Sequence, residues 1–246
     1  MILPMPEDAI HRFQLYRLLT EILDDPLISH VLLFKGGTCA SMLGYLDRFS
    51  VDLDFDLKNK EKKLLVHKRL LKIFLSLDLK IKSKSNKELF YVLNYKRHNE
   101  SFKSRNALKL GIIDTSLKSN TYKAFYLREI DRYALCQTVE TMFANKLVAL
   151  TDRYEKHSTI AGRDLYDIHH FFIRGYKYRK EIIIERTGLS QVEYLVKLKE
   201  FIENKITDRI ITQDLGSLLS NQEFQKIRKN LKKETLLLLK NEINSI

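Results

Sequence analysis

The sequence predicts an α+β protein, a mixed sheet flanked by helices and followed by an all-helical C-terminal region. Three observations predict it. Residues 31–55 run as apolar strand, Gly36-Gly37 turn, small helix and acidic strand, one compact α/β unit. Between residues 78 and 128, short apolar and aromatic runs alternate with polar, basic connections. From Gln137 onward apolar residues recur only at helical spacing. The change of pattern near Tyr133–Gln137 divides the chain into an α/β domain, residues 1–134, and a helical domain, residues 135–246, expected to complete the same cleft.

Residues 7–23 read as a helix, with Pro6 near its start and Ile10, Phe13, Leu18 and Ile22 on one face. Asp24-Asp25-Pro26 ends it. Val31–Phe34 suits a buried strand, and residues 38–46 form a small helix with Thr38 near its N-cap. The acidic strand spans 51–55, and residues 59–77 form a helix with Leu64, Leu65, Leu71, Phe74 and Leu77 on one side. Strands follow at 79–81, 89–95, 107–113 and 123–127. Helices are expected at 139–154, 163–174, 178–186, 191–205 and 222–241.

The acidic strand carries the chemistry. Side chains alternate along a strand, so Val51, Leu53 and Phe55 face a core while Asp52, Asp54 and Asp56 share the opposite face. Three like charges in a row repel and contribute nothing to a sheet. A bound hard cation relieves them, and Mg²⁺ takes one or two carboxylates together with substrate phosphate oxygens. Gly36-Gly37 lets the backbone approach a phosphate closely. The turn is neither a GxxxxGK[ST] nor a GxGxxG loop. These features predict a Mg²⁺–nucleotide site.

Composition bounds the partners. Lys and Arg number 43 against 31 Asp and Glu, a formal charge of +12. Such a surface favours polyanions, because neutralising phosphates releases counterions, and it argues against cationic substrates. Segments 91–105 and 176–180 mix aromatics with cations, as RNA binding requires, and 225–233 is basic without aromatics. No apolar run approaches the length of a membrane span, and the N-terminus has no signal-peptide pattern. Cys39 and Cys136 form no metal or redox motif, which suits free thiols in the cytoplasm.

Lys35-Gly36-Gly37-Thr38 with Arg48-Phe49-Ser50-x-Asp52-Leu53-Asp54-Phe55 resembles the first motif of the AbiEii/AbiGii-type toxin family of nucleotidyltransferases, within the DNA polymerase beta-like superfamily. Glu140–Asp152, which contains Lys146, is similar to that family's lysine-bearing helix. Gly162-Arg163-Asp164-Leu165-Tyr166-Asp167-Ile168 is similar to its RDxYD motif. The resemblance implies a nucleotidyltransferase-like sheet and NTP-dependent transfer of a nucleotide to RNA, with the tRNA 3′ end as acceptor. It also implies a toxin role with a cognate antitoxin.

By that resemblance Asp52 and Asp54 hold two Mg²⁺ ions. Lys35, Gly36, Gly37, Thr38, Arg48 and Ser50 surround the nucleotide, Lys146 meets the triphosphate, and Asp167 joins the catalytic set with Arg163 and Asp164 as neighbours. The family's third carboxylate is expected on the strand near Gly111, and Asp114 is the acid nearby. His169 and His170 diverge around a helix and read as packing residues. Two other functions fit the sequence: the same chemistry on a small molecule or protein, and a catalytically degenerate RNA-binding relative, to which Gly111 points.

Overall fold

In the computed structural model, residues 3–85, 88–96, 105–114 and 117–246 are described. The chain forms two compact units, Met1–Ser116 with Tyr122–Gln137, and Leu117–Thr121 with Thr138–Ile246.

The first unit is a seven-stranded mixed sheet with helices. Its elements are α1 (Asp8–Asp24), β1 (Leu32–Lys35), α2 (Gly36–Met42), β2 (Asp52–Leu57), α3 (Lys63–Ser76), β3 (Lys80–Lys84), β4 (Leu89–Asn94), β5 (Ala107–Ile113), β6 (Tyr122–Leu127) and β7 (Arg132–Gln137). The strand order is β3-β4-β5-β2-β1-β7-β6. β2 runs antiparallel to β1 and parallel to β5, and β1 is parallel to β7. Leu53, Phe55, Phe34, Leu108, Leu110, Ile112, Tyr91 and Cys136 are buried on the face toward α1–α3. By strand alternation Asp52, Asp54 and Asp56 lie on the other face, with Lys35, Gly111, Phe90 and Gln137 as same-face neighbours.

Several expectations change. β7 is absent from the sequence reading, which placed a boundary there. It is a short inner strand whose inward residues are the small Ala134 and Cys136, so its apolar signal is weak. On α1 the buried face is His11, Leu15, Leu18, Leu19 and Ile22, while Ile10 and Phe13 are exposed. On α3 the core residues are Val66, Leu70, Ile73 and Phe74, and Leu64 and Leu71 are exposed. Both helices carry apolar residues on two faces, so periodicity alone found only part of each buried stripe: Leu18 and Ile22 on the first, Phe74 and Leu77 at the end of the second. Thr38 is not a cap. The helix begins two residues earlier at Gly36, and the Thr38 hydroxyl donates to the Asp52 carbonyl and to Ser50 Oγ.

The second unit is helical: α4 (Val139–His157), α5 (Gly162–Ile173), α6 (Lys180–Thr187), α7 (Gln191–Lys205), α8 (Asp208–Leu215), α9 (Asn221–Ile227) and α10 (Leu231–Ser245). Phe143 anchors its core against Phe171, Phe172 and Tyr178, with ring centroids 4.8–5.4 Å apart. Ser190 and Ser220 each form a reciprocal capping box with a glutamate three residues on, fixing the starts of α7 and α9. The helix expected at 222–241 is two helices, and α8 was not expected. Thr207 caps α8, and Gly162 allows its backbone to pack against Ile210, where a Cβ would lie 2.7 Å from the carbonyl oxygen.

Candidate active site

β2 and the β1–α2 junction build the acidic site. Gly36 opens α2 with φ +80, a left-handed conformation that costs other residues about 1–2 kcal/mol. A Cβ there would lie 2.6 Å from Asp54 Oδ2. Gly37 has a different reason: its missing side chain leaves room for Ser50 Oγ and the Arg48 guanidinium, 2.8 and 2.9 Å from where a Cβ would stand. Gly111, opposite Asp54 on β5, completes the enclosure, with a Cβ position 3.2 Å from Asp54 Oδ1. The Asp54 carboxylate is therefore flanked by bare backbone on both sides.

Gly36→Ala follows as a test. Strain of about 1–2 kcal/mol should lower Tm, and displacement of Asp54 should lower kcat/KM for NTP by more than the stability loss implies. Full activity in a folded Gly36→Ala protein would refute the close-approach explanation.

The remaining residues around β2 have distinct local roles. Arg48 is buried and donates from Nη1 to the Phe49 carbonyl, while its own carbonyl accepts from Ser41 Oγ. Asp56, 2% exposed, is held by Lys35 Nζ at 2.5 Å, Tyr122 Oη at 2.6 Å and Gln137 Nε2 at 3.1 Å. Lys35 thus neutralises Asp56 and braces β1 against β2. The two carboxylates nearer the glycine turn, Asp52 and Asp54, are half-buried.

The structure separates Asp114 from this pair. Ile113 lies opposite Asp56, so Asp114 falls beyond the strand end in the opposite alternation phase. Its carboxylate pairs with Lys63 Nζ at 2.9 Å, which holds its pKa below the usual carboxylate value. Among the described residues, no group of three or more His, Cys, Asp or Glu side chains is placed to hold a metal. Asp52 and Asp54 are two carboxylates on one strand face, a donor set that could hold a hard cation only together with oxygens from elsewhere.

The other predicted residues cluster in the helical unit. Lys146 on α4 meets Asp164 Oδ1 at 2.7 Å and Asp167 Oδ2 at 2.9 Å, both from α5. Their spacing of three residues puts both carboxylates on one helix face. Each is at most 1% exposed, and Arg153 lies 3.5 Å from Asp164. Burial pushes the Asp164 carboxyl up, but Lys146 and Arg153 outweigh it, and its pKa falls below the ordinary value despite neighbouring Asp167. Asp164 is no helix cap, since α5 has no side-chain capping bond. Arg163, on the same helix, is half-buried. His169 bonds Glu234 at 2.8 Å, and His170 stacks on Tyr166, both in packing roles.

Of the described aromatics expected to contact RNA, two are buried and two are half-buried against protein partners. Tyr91 and Tyr95 are buried, Tyr176 packs on Phe171, and the Tyr178 hydroxyl bonds Glu242 and Gln191. Residues 97–104 of the basic segment at 91–105 lie outside the described residues.

The sequence profile of the AbiEii nucleotidyl transferase toxin, type IV toxin–antitoxin system, matches residues 17–235. The chain belongs to this family. AbiEii membership makes it a nucleotidyltransferase of a toxin–antitoxin system. Two solved structures from Helicobacter pylori share the fold. JHP933 is 22% identical with TM-score 0.56, covering 98% of this chain and 94% of its own. A candidate nucleotidyltransferase is 23% identical with TM-score 0.57, covering 96% of each. No curated protein matches the sequence. Among the described residues, no helix is long and apolar enough to cross a membrane.

Proposed function

We propose that this AbiEii-family protein transfers the nucleoside monophosphate of an NTP to an RNA 3′ end, with tRNA as the acceptor, using Mg²⁺ held at Asp52 and Asp54. The observation that carries the reading is the Asp52–Asp54 pair on one face of β2, with Asp54 flanked by Gly36 and Gly111. The acceptor hydroxyl attacks the α-phosphorus and gives its proton to water, a new P–O bond forms, and the bond to pyrophosphate breaks. Mg²⁺ held by Asp52 and Asp54 would supply charge neutralisation for this transfer.

Gly36, Gly37, Thr38 and Ser50 shape the backbone that receives the triphosphate, with Arg48 supporting it from below and Lys35 acting through Asp56. Lys146 serves the triphosphate, and Asp164 and Asp167 fix its ammonium. The net charge of +12 supports an RNA acceptor, and the family supports a cognate antitoxin as partner. The cytoplasm, which holds both NTPs and tRNA, is the setting.

Incubation with each α-labelled NTP, Mg²⁺, total RNA and cell lysate tests the reading. Label is expected in the tRNA fraction and is expected to disappear with EDTA. Label confined to protein or to a small metabolite would sink the RNA acceptor.

A further inference from the structure

Phe90 stands in register with the acidic site. Gly111 pairs with Asp54 on one side and with Phe90 on the other, so these three residues form one row across β2, β5 and β4 on a single sheet face. A Cβ at Gly111 would lie 3.2 Å from Asp54 Oδ1 and 3.7 Å from Phe90 Cδ2. Carboxylate and ring therefore approach each other over bare backbone. The acid expected on this strand is replaced by a shallow shelf with an aromatic wall.

The surroundings of the shelf are specific. Phe90 is 37% exposed and Ile113, on the same face, is 40% exposed. Lys109 is exposed and stands opposite Asp52 in the register. A lone exposed phenylalanine is ordinary. A ring beside a glycine, with a lysine on the same strand face, suits a planar aromatic ligand that carries a phosphate. A nucleotide has that chemistry, since every base offers a π-face for stacking and its phosphate meets a cation. The described aromatics that the sequence offered for this task are buried or engaged by protein partners.

Position selects which base. Gly36 lies toward Asp54 Oδ2 and Gly111 toward Oδ1, so turn and shelf flank the carboxylate on different sides. With the triphosphate at the Gly36-Gly37 turn, the shelf is left for the acceptor. We infer that Phe90, Gly111 and Lys109 form a subsite that stacks the terminal unpaired nucleobase of the RNA acceptor. This rests on the reading of Asp52 and Asp54 as a nucleotidyl-transfer centre.

Phe90→Leu and Phe90→Tyr test the subsite, with a short single-stranded oligoribonucleotide as probe. Phe90→Leu should weaken oligonucleotide binding, measured by fluorescence anisotropy, and raise its KM by about tenfold. Phe90→Tyr keeps the ring and should stay within about twofold of the unmodified protein by the same stacking argument. KM for NTP and Tm should not change in either variant. Unchanged oligonucleotide affinity in Phe90→Leu, an effect confined to NTP, or failure of the unmodified protein to bind the probe would overturn the subsite. Binding through Phe90 without any transfer of label would remove the transfer reading and leave the subsite standing.

Discussion

Asp52→Asn and Asp54→Asn should each lower kcat for nucleotidyl transfer about a hundredfold or more, the scale of losing one essential charge-stabilising group. Each should lower Tm far less than loss of Asp56 does. The two carboxylates share a strand face two residues apart, so removing one charge relieves repulsion. The third aspartate of the strand predicts the contrary pattern. Asp56 is buried and bonded to Lys35, Tyr122 and Gln137, so Asp56→Ala leaves a half-buried cation and two polar groups without their partner. That variant should lose about 3–5 kcal/mol of stability. A kcat assay paired with thermal unfolding separates the roles. Equal stability losses at all three positions would contradict the division of the strand into reactive and structural carboxylates.

Lys146→Met is the second large effect expected. The ammonium neutralises two carboxylates that are almost fully buried, and its removal takes away the charge they share, although Arg153 still lies 3.5 Å from Asp164. Breaking such a cluster costs about 3–5 kcal/mol. The sign of its pH dependence follows from Asp164, whose folded pKa is depressed. Stability from that carboxylate is fully present above the ordinary carboxyl pKa and is lost as pH falls through the lowered value. In Lys146→Met the depression goes, protonation becomes favourable, and the deficit relative to the unmodified protein should shrink as pH falls toward 4. Urea unfolding across that range measures it. A deficit that is small and pH-independent would exclude the cluster as a stability element.

The site was legible where local pattern determines it. A glycine turn, a short helix and alternating aspartates are all within reach of one another in sequence, and they set the β1–α2–β2 unit directly. What escaped depends on distant partners. Asp56 reads from the strand as a supporting carboxylate beside Asp52 and Asp54, but its partners Tyr122 and Gln137 lie 66 and 81 residues away in sequence. Asp114 is out of phase by spacing unless a bulge at Gly111 reverses it, and the regular register through Gly111 and the pairing with Lys63 are visible only in the structure. β7 escaped because its buried side chains are small. The two-faced apolar patterns of α1 and α3 made periodicity mix buried residues such as Leu18, Ile22 and Phe74 with exposed ones such as Phe13 and Leu64. Phe90 carried no signal of its own, and only the register across Gly111 brings it to Asp54.

The central claim is that Asp52 and Asp54 hold a divalent cation together with NTP. Mn²⁺ is a paramagnetic stand-in for Mg²⁺, and its binding can be followed by electron paramagnetic resonance with and without a non-hydrolysable NTP. The unmodified protein should bind Mn²⁺ more tightly when the nucleotide is present, because the phosphates complete the ligand set. Asp52→Asn and Asp54→Asn should each lose this nucleotide-dependent binding while Asp114→Asn retains it. Nucleotide-dependent Mn²⁺ binding that persists in both Asp52→Asn and Asp54→Asn would contradict the account.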